Sequence, residues 1–114
     1  MDGCIFCKIA SKEAPSQYVH ETESTVAFRD LNPVAPSHIL IIPKRHILNL
    51  DATSAEDAVL LGEMLIAAAA IARNEGFAES GYRVVLNVGP DGGQTVGHLH
   101  AHLLAGRRLT WPPG

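Results

Sequence analysis

His98, His100 and His102 alternate with apolar residues in the run His98-Leu99-His100-Ala101-His102-Leu103-Leu104. On a strand, that spacing sends all three imidazoles to one face. Neighbouring rings would stand about 6.5–7 Å apart at roughly 3.3 Å rise per residue, a span that suits a phosphate group with its entering and leaving atoms. Imidazole can be a neutral nucleophile and a proton carrier near neutral pH, so several together can divide those tasks. Phosphoryl transfer needs positioning and charge stabilisation more than covalent elaboration. The residues just ahead of the run offer both: Gly92 and Gly93 let backbone amides approach phosphate oxygens, and Gln94 and Thr95 add a side-chain amide and a hydroxyl. A Gly-rich loop alone carries little, but three histidines at period two behind it point to chemistry on a phosphate.

Cys4 and Cys7 are the only cysteines. They are too close to staple distant parts of a fold, which leaves a metal or no special role. The remaining composition limits the substrate. Net charge is −3, and the nine Lys and Arg are scattered apart from Lys44-Arg45 and Arg107-Arg108, so there is no footprint for a nucleic-acid polymer. A small molecule is the expected substrate. The longest apolar run, Met64 to Ala72, is too short to cross a bilayer, and no secretion signal is visible, so a cytoplasmic protein is expected.

These groups have to be held by a single core, since the 114 residues contain no repeat, low-complexity tract or linker. Residues 4–10 read as one helical turn, and 25–29 as a brief strand before the turn-prone Asp30-Leu31-Asn32-Pro33. His38 to Ile42 is a continuous apolar run of strand length, stopped by Pro43 and expected at the centre of a sheet. Thr53-Ser54-Ala55-Glu56 fits a capping box. The helix expected over 54–75 carries the stripe Leu61, Met64, Leu65, Ala68, Ile71 and Ala72, and Gly76 is placed to end it. Residues 82–88 and 97–105 read as strands around a turn-rich loop, and the Trp111-Pro112-Pro113-Gly114 tail cannot continue a sheet. Short connections point to an antiparallel sheet under the long helix, an α+β class. Leu99, Ala101 and Leu103 should meet that helix, leaving the histidine face open for a ligand.

The ordered set of motifs resembles the histidine-triad (HIT) superfamily, and within it the Hint-like branch of bacterial type. His98 to Leu104 matches the triad pattern. Ile5-Phe6-Cys7-Lys8-Ile9, Ala35-Pro36-Ser37-His38, Ile42-Pro43-Lys44-Arg45-His46, Gly92-Gly93-Gln94-Thr95 and the Trp-Pro-Pro-Gly ending extend the match over nearly the whole chain. The resemblance implies a single HIT domain over 1–114, with a five-stranded antiparallel sheet, one long helix and a short N-terminal helix. It further implies a homodimer whose sheets join through the penultimate strand, with the long helices packed together and the tails near the neighbouring site.

By the same resemblance, His100 would attack the α-phosphorus of a purine nucleotide and form a nucleotidyl-imidazole that water cleaves. His102 would bind the phosphate and assist proton transfer, and His38 would sit beside His100 and fix its tautomer. Asn87, Gly93, Gln94 and Thr95 match positions around the phosphate, with Thr95 standing where the family commonly has Ser. Asp30 matches the residue accepting ribose hydroxyls, although it also suits a turn before Asn32-Pro33. Ile5, Phe6 and Leu31 fall where the family builds its base cleft, although packing alone explains residues of these types. Some bacterial-type relatives with this Cys-x-x-Cys bind structural zinc, and the resemblance offers His46 and His98 to complete the set with Cys4 and Cys7. A redox pair or two buried thiols are the alternatives. No catalytic metal is implied. The expected activity is hydrolysis of purine nucleoside phosphoramidates or related adenylates. The alternatives are dinucleoside polyphosphate hydrolysis, against which the Trp-Pro-Pro-Gly ending speaks, and a non-enzymatic nucleotide sensor or scaffold.

Overall fold

A computed structural model describes residues 3–114. Five strands, β1 (Tyr18–Glu21), β2 (Thr25–Arg29), β3 (Ser37–Pro43), β4 (Tyr82–Leu86) and β5 (Ala101–Ala105), form one antiparallel sheet in the order β1-β2-β3-β5-β4. A short helix, α1 (Ile5–Ala10), and a long one, α2 (Ala58–Asn74), complete the α+β architecture. No helix among the described residues is long and apolar enough to cross a membrane.

β3 shows why the sheet needs both helices. All seven of its residues are buried, and alternate side chains enter different cores. Ile39 and Ile41 join Ala27, Met64, Ala68, Ile71, Leu99, Ala101 and Leu103 under α2. Leu40 and Ile42 join Val26, Phe28, Phe6 and Ile9 under α1. A strand covered on both faces has no polar side to show, which accounts for the unbroken apolar run. Leu99, Ala101 and Leu103 meet the long helix as expected. The opposite face is only partly open, because α1 covers one end of it and seats Phe6 against His98 and His100.

Several features differ from the sequence reading, among them the end of β4, at Leu86 rather than residue 88. β1 was not anticipated: its Tyr-Val-His-Glu is a short, mixed edge strand with only Val19 packed against a core. The last strand begins at Ala101 rather than residue 97, so His98 and His100 lie in irregular chain ahead of it. The capping box moves by one residue, to Ser54 and Asp57, and α2 begins at Ala58 rather than residue 54. Thr53 closes the preceding 3-10 turn by donating its hydroxyl to the Leu50 carbonyl (2.6 Å), and it is Asp57 whose carboxylate accepts from the Ser54 N–H (3.0 Å). A single 3-10 turn, Ala55–Asp57, then leads into α2. Leu65 is 49% exposed while Ala67 is buried, so the buried arc is Met64, Ala67, Ala68, Ile71 and Ala72. Gly76 ends the helix as expected, at φ +86, with the Phe77 N–H donating to the Ala72 carbonyl (2.8 Å).

Candidate active site

His98 and His102, each with its partners, form two clusters on either side of His100. The loop from β4 to β5 brings His98 and His100 in as buried residues, at 0% and 5% exposure, ahead of half-buried His102 at the start of β5. Phe6 packs edge-on to His98 (5.9 Å between centroids) and to His100 (5.2 Å). The His100 and His102 rings are 5.0 Å apart, closer than the spacing expected of an ideal strand.

Hydrogen-bond partners assign the ring protons, since a carbonyl only accepts and a backbone N–H only donates. His100 Nδ1 lies 2.7 Å from the His98 carbonyl oxygen, so Nδ1 carries a proton and, in the neutral ring, Nε2 is the nitrogen with the lone pair. His98 Nε2 lies 2.9 Å from the Pro43 carbonyl oxygen, so Nε2 is protonated and Nδ1 is free. His38 is the opposite case. The Val34 N–H donates to its Nδ1 (3.1 Å), which places the proton on Nε2. That Nε2–H donates to His102 Nδ1 at 2.9 Å, with Asp30 Oδ2 at 3.4 Å, so neutral His102 carries its proton on Nε2. His38 therefore pairs with His102 and not with His100, correcting the expected contact. The group that orients His100 is the carbonyl two residues before it, which no side-chain pattern could indicate.

Burial holds the His38 and His98 imidazoles below their ordinary range, partly opposed at His38 by the Asp30 carboxylate and at His98 by the Pro43 carbonyl. His102 is depressed furthest, to about 4, by burial first and then by His100 and His38 beside it. It is a neutral donor at physiological pH.

On the other side, Cys4 Sγ lies 3.3 Å and Cys7 Sγ 3.5 Å from His98 Nδ1, and Cys7 Sγ lies 3.2 Å from His46 Nδ1. The four donor atoms are all within 4.8 Å of one another. Two sulfurs and two imidazole nitrogens, one of them with its lone pair aimed at the thiols, are a closed set for a tetrahedral zinc ion. Both cysteines are free thiols. Burial and the Cys4 sulfur raise the Cys7 thiol, so a metal taken up here would displace protons.

The loop ahead of the triad is shaped by glycine. A Cβ at Gly92 would collide with the Val88 carbonyl, and Gly93 has φ +77. Asn87 donates to the Gly92 carbonyl (2.6 Å). Gln94 donates to the Leu48 (2.8 Å) and Val96 (3.0 Å) carbonyls and accepts from Asn49 (3.1 Å) and the Gly89 N–H (3.0 Å), so both its amide hydrogens brace the loop. Asn49, in a connecting turn, carried no sequence signal for this role. Thr95 is exposed. Asp30 Oδ1 accepts from the Asn32 N–H (2.8 Å), so it makes the turn while Oδ2 faces His38. Leu31 and Ile5 are exposed, at 91% and 49%, whereas Phe6 is 6% exposed and belongs to the core.

The sequence matches the HIT domain over residues 11–109. It is 51% identical over 112 residues to a "14 kDa zinc-binding protein" of Zea mays, covering 96% of this chain and 87% of that one. It is 46% identical over 112 residues to "Adenylylsulfatase HINT1" of Arabidopsis thaliana, covering 96% and 76%. The crystal structure of a HIT family hydrolase from Legionella pneumophila superposes with a TM-score of 0.96 at 51% identity, covering 98% of this chain and all of that one.

Proposed function

The chain belongs to the HIT family, and from that membership we propose that it is a nucleotide hydrolase acting at the α-phosphate of purine nucleoside phosphoramidates or related adenylates, with His100 as nucleophile. The observation that carries this reading is the 2.7 Å bond from His100 Nδ1–H to the His98 carbonyl, which puts the neutral ring's lone pair on Nε2 of a buried residue. Nε2 attacks the α-phosphorus, forming an N–P bond as the bond to the leaving amine or acyl or sulfate oxygen breaks. His102 Nε2–H donates to the phosphate or the departing atom, and His38 supports it by donating its Nε2–H to His102 Nδ1. Water then cleaves the N–P bond and releases the nucleoside monophosphate. The Arabidopsis relative's name, an adenylylsulfatase, supports an adenylate substrate.

Asp30, Leu31 and Ile5 are the groups we assign to ribose and base, with Phe6 as the floor beneath them. Gly93, Thr95, Asn87 and Gln94 shape the phosphate loop, Asn87 and Gln94 from behind it. Cys4, Cys7, His46 and His98 would hold a structural zinc, a reading the Zea mays relative's name supports. The ion would supply no step of the chemistry and would tie α1 to the segment carrying His98. A homodimer joined through β4, an edge strand of the sheet, also fits.

The direct test is turnover of an adenosine phosphoramidate by wild type and His100→Ala, with rapid-quench mass spectrometry for a labelled histidine. We expect a loss of about 10^4-fold or more and a nucleotidyl adduct on His100. An unchanged rate, or a label settling on another residue, would remove His100 from this role.

A further inference from the structure

By distance alone, Asp30, His38 and His102 would also hold a metal, since their donor atoms lie within 4.8 Å of one another. The protons on those donors argue the opposite. A metal at His38 Nε2 needs that nitrogen's lone pair, so the ring's proton must move to Nδ1. Nδ1 already accepts the Val34 N–H at 3.1 Å, and two N–H groups cannot face each other there. The contrast with His98 is direct: its distal nitrogen meets a carbonyl, and its other nitrogen is left bare toward two thiols.

Val34 is itself held in place. Its carbonyl accepts from Arg107 Nη2 (3.1 Å) and Nε (3.3 Å), a two-pronged clamp from the segment just past β5. The Val34 side chain is 60% exposed, so packing does not locate the residue. The clamp and the bond to His38 do.

We propose that Val34, clamped by Arg107, is a positioning residue that sets the direction of the His38 to His102 hydrogen bond and thereby closes the Asp30–His38–His102 cluster to transition-metal ions. It rests on the hydrolase reading only for its catalytic consequence. Its structural content is a single tautomer, Nε2–H on His38 and on His102, in a chain whose neighbouring Cys–His cluster suits zinc. Without the Val34 N–H, His38 could present Nε2 as a bare ligand, and a 2-His-1-carboxylate site for Zn2+ or Co2+ would open.

The variant is Val34→Pro, which deletes that N–H and leaves the carbonyl for Arg107. Co2+ is the probe, because sulfur ligation at the Cys–His cluster gives a charge-transfer band that a nitrogen and oxygen site lacks. Wild type should bind one equivalent, with the sulfur band. Val34→Pro should bind a second without it, about ten- to hundredfold more tightly than wild type binds any second ion. Two measurements stand beside it should that variant fold poorly. Long-range 15N correlation spectra of the wild-type rings should show His38 and His102 protonated on Nε2. Arg107→Met should lower kcat several-fold with KM unchanged. A wild type that takes a second Co2+ as tightly as Val34→Pro, or a His38 protonated on Nδ1, overturns the proposal. The metal and 15N readings use no substrate, so they stand or fall separately from the hydrolase assignment.

Discussion

The two clusters beside His100 are built from similar parts and behave oppositely. Each has two histidines within 3.5 Å of their partners, beside two thiols in one case and a carboxylate in the other. In the first, His98 gives its Nε2 proton to the Pro43 carbonyl and turns a bare Nδ1 toward Cys4 and Cys7. In the second, His38 receives the Val34 N–H and must keep its proton on the nitrogen facing His102. Whether a buried imidazole serves as a metal ligand or a proton donor is thus decided by the backbone group behind it, an acceptor in one case and a donor in the other.

The sharpest way to break that contrast is to remove a thiol. Cys7→Ser should abolish zinc binding as read by metal analysis and lower stability by on the order of 3 kcal/mol, a fall in Tm of about 10 °C in a domain this size. Activity should decline with it, because the same His98 that would ligate the metal holds His100 through its carbonyl. A zinc-free wild type of equal stability would erase the first cluster's assigned role.

His38→Asn probes the other side. Metal content should stay at its wild-type value while kcat drops by on the order of 10^2-fold, the usual scale for a lost proton-transfer partner. If the metal were lost too, the two clusters would not be separate devices.

The smallest effect is in pH. His102 stays neutral in the folded protein down to about 4, whereas in the unfolded chain it protonates near the ordinary histidine value. Folding stability should therefore fall as pH drops from about 6.5 toward 4, with no contribution from this group above that window. His102→Gln should flatten part of that slope in denaturant titrations, and an unaltered slope would assign the acid sensitivity elsewhere.

Local pattern made several features readable in the chain itself. Alternation in 98–104 put Leu99, Ala101 and Leu103 toward the long helix and the imidazoles on the other side, since the period of two survives even where the backbone leaves the strand. The unbroken run 38–42 announced a central strand, and Gly76 marked the end of the long helix, where its positive φ favours glycine. β1 escaped notice because an edge strand with one packed side chain has almost no pattern to show.

Other features could be settled only by folding. The helix over the histidine face, the pairing of His38 with His102, the loss of the Gln94 hydrogens to loop carbonyls and the two opposite tautomers all depend on backbone groups brought together from distant segments. Residue type and spacing specify which face a ring occupies. They carry no information about whether a carbonyl or an amide waits behind it, because every residue supplies both and only the tertiary arrangement chooses which one the ring meets.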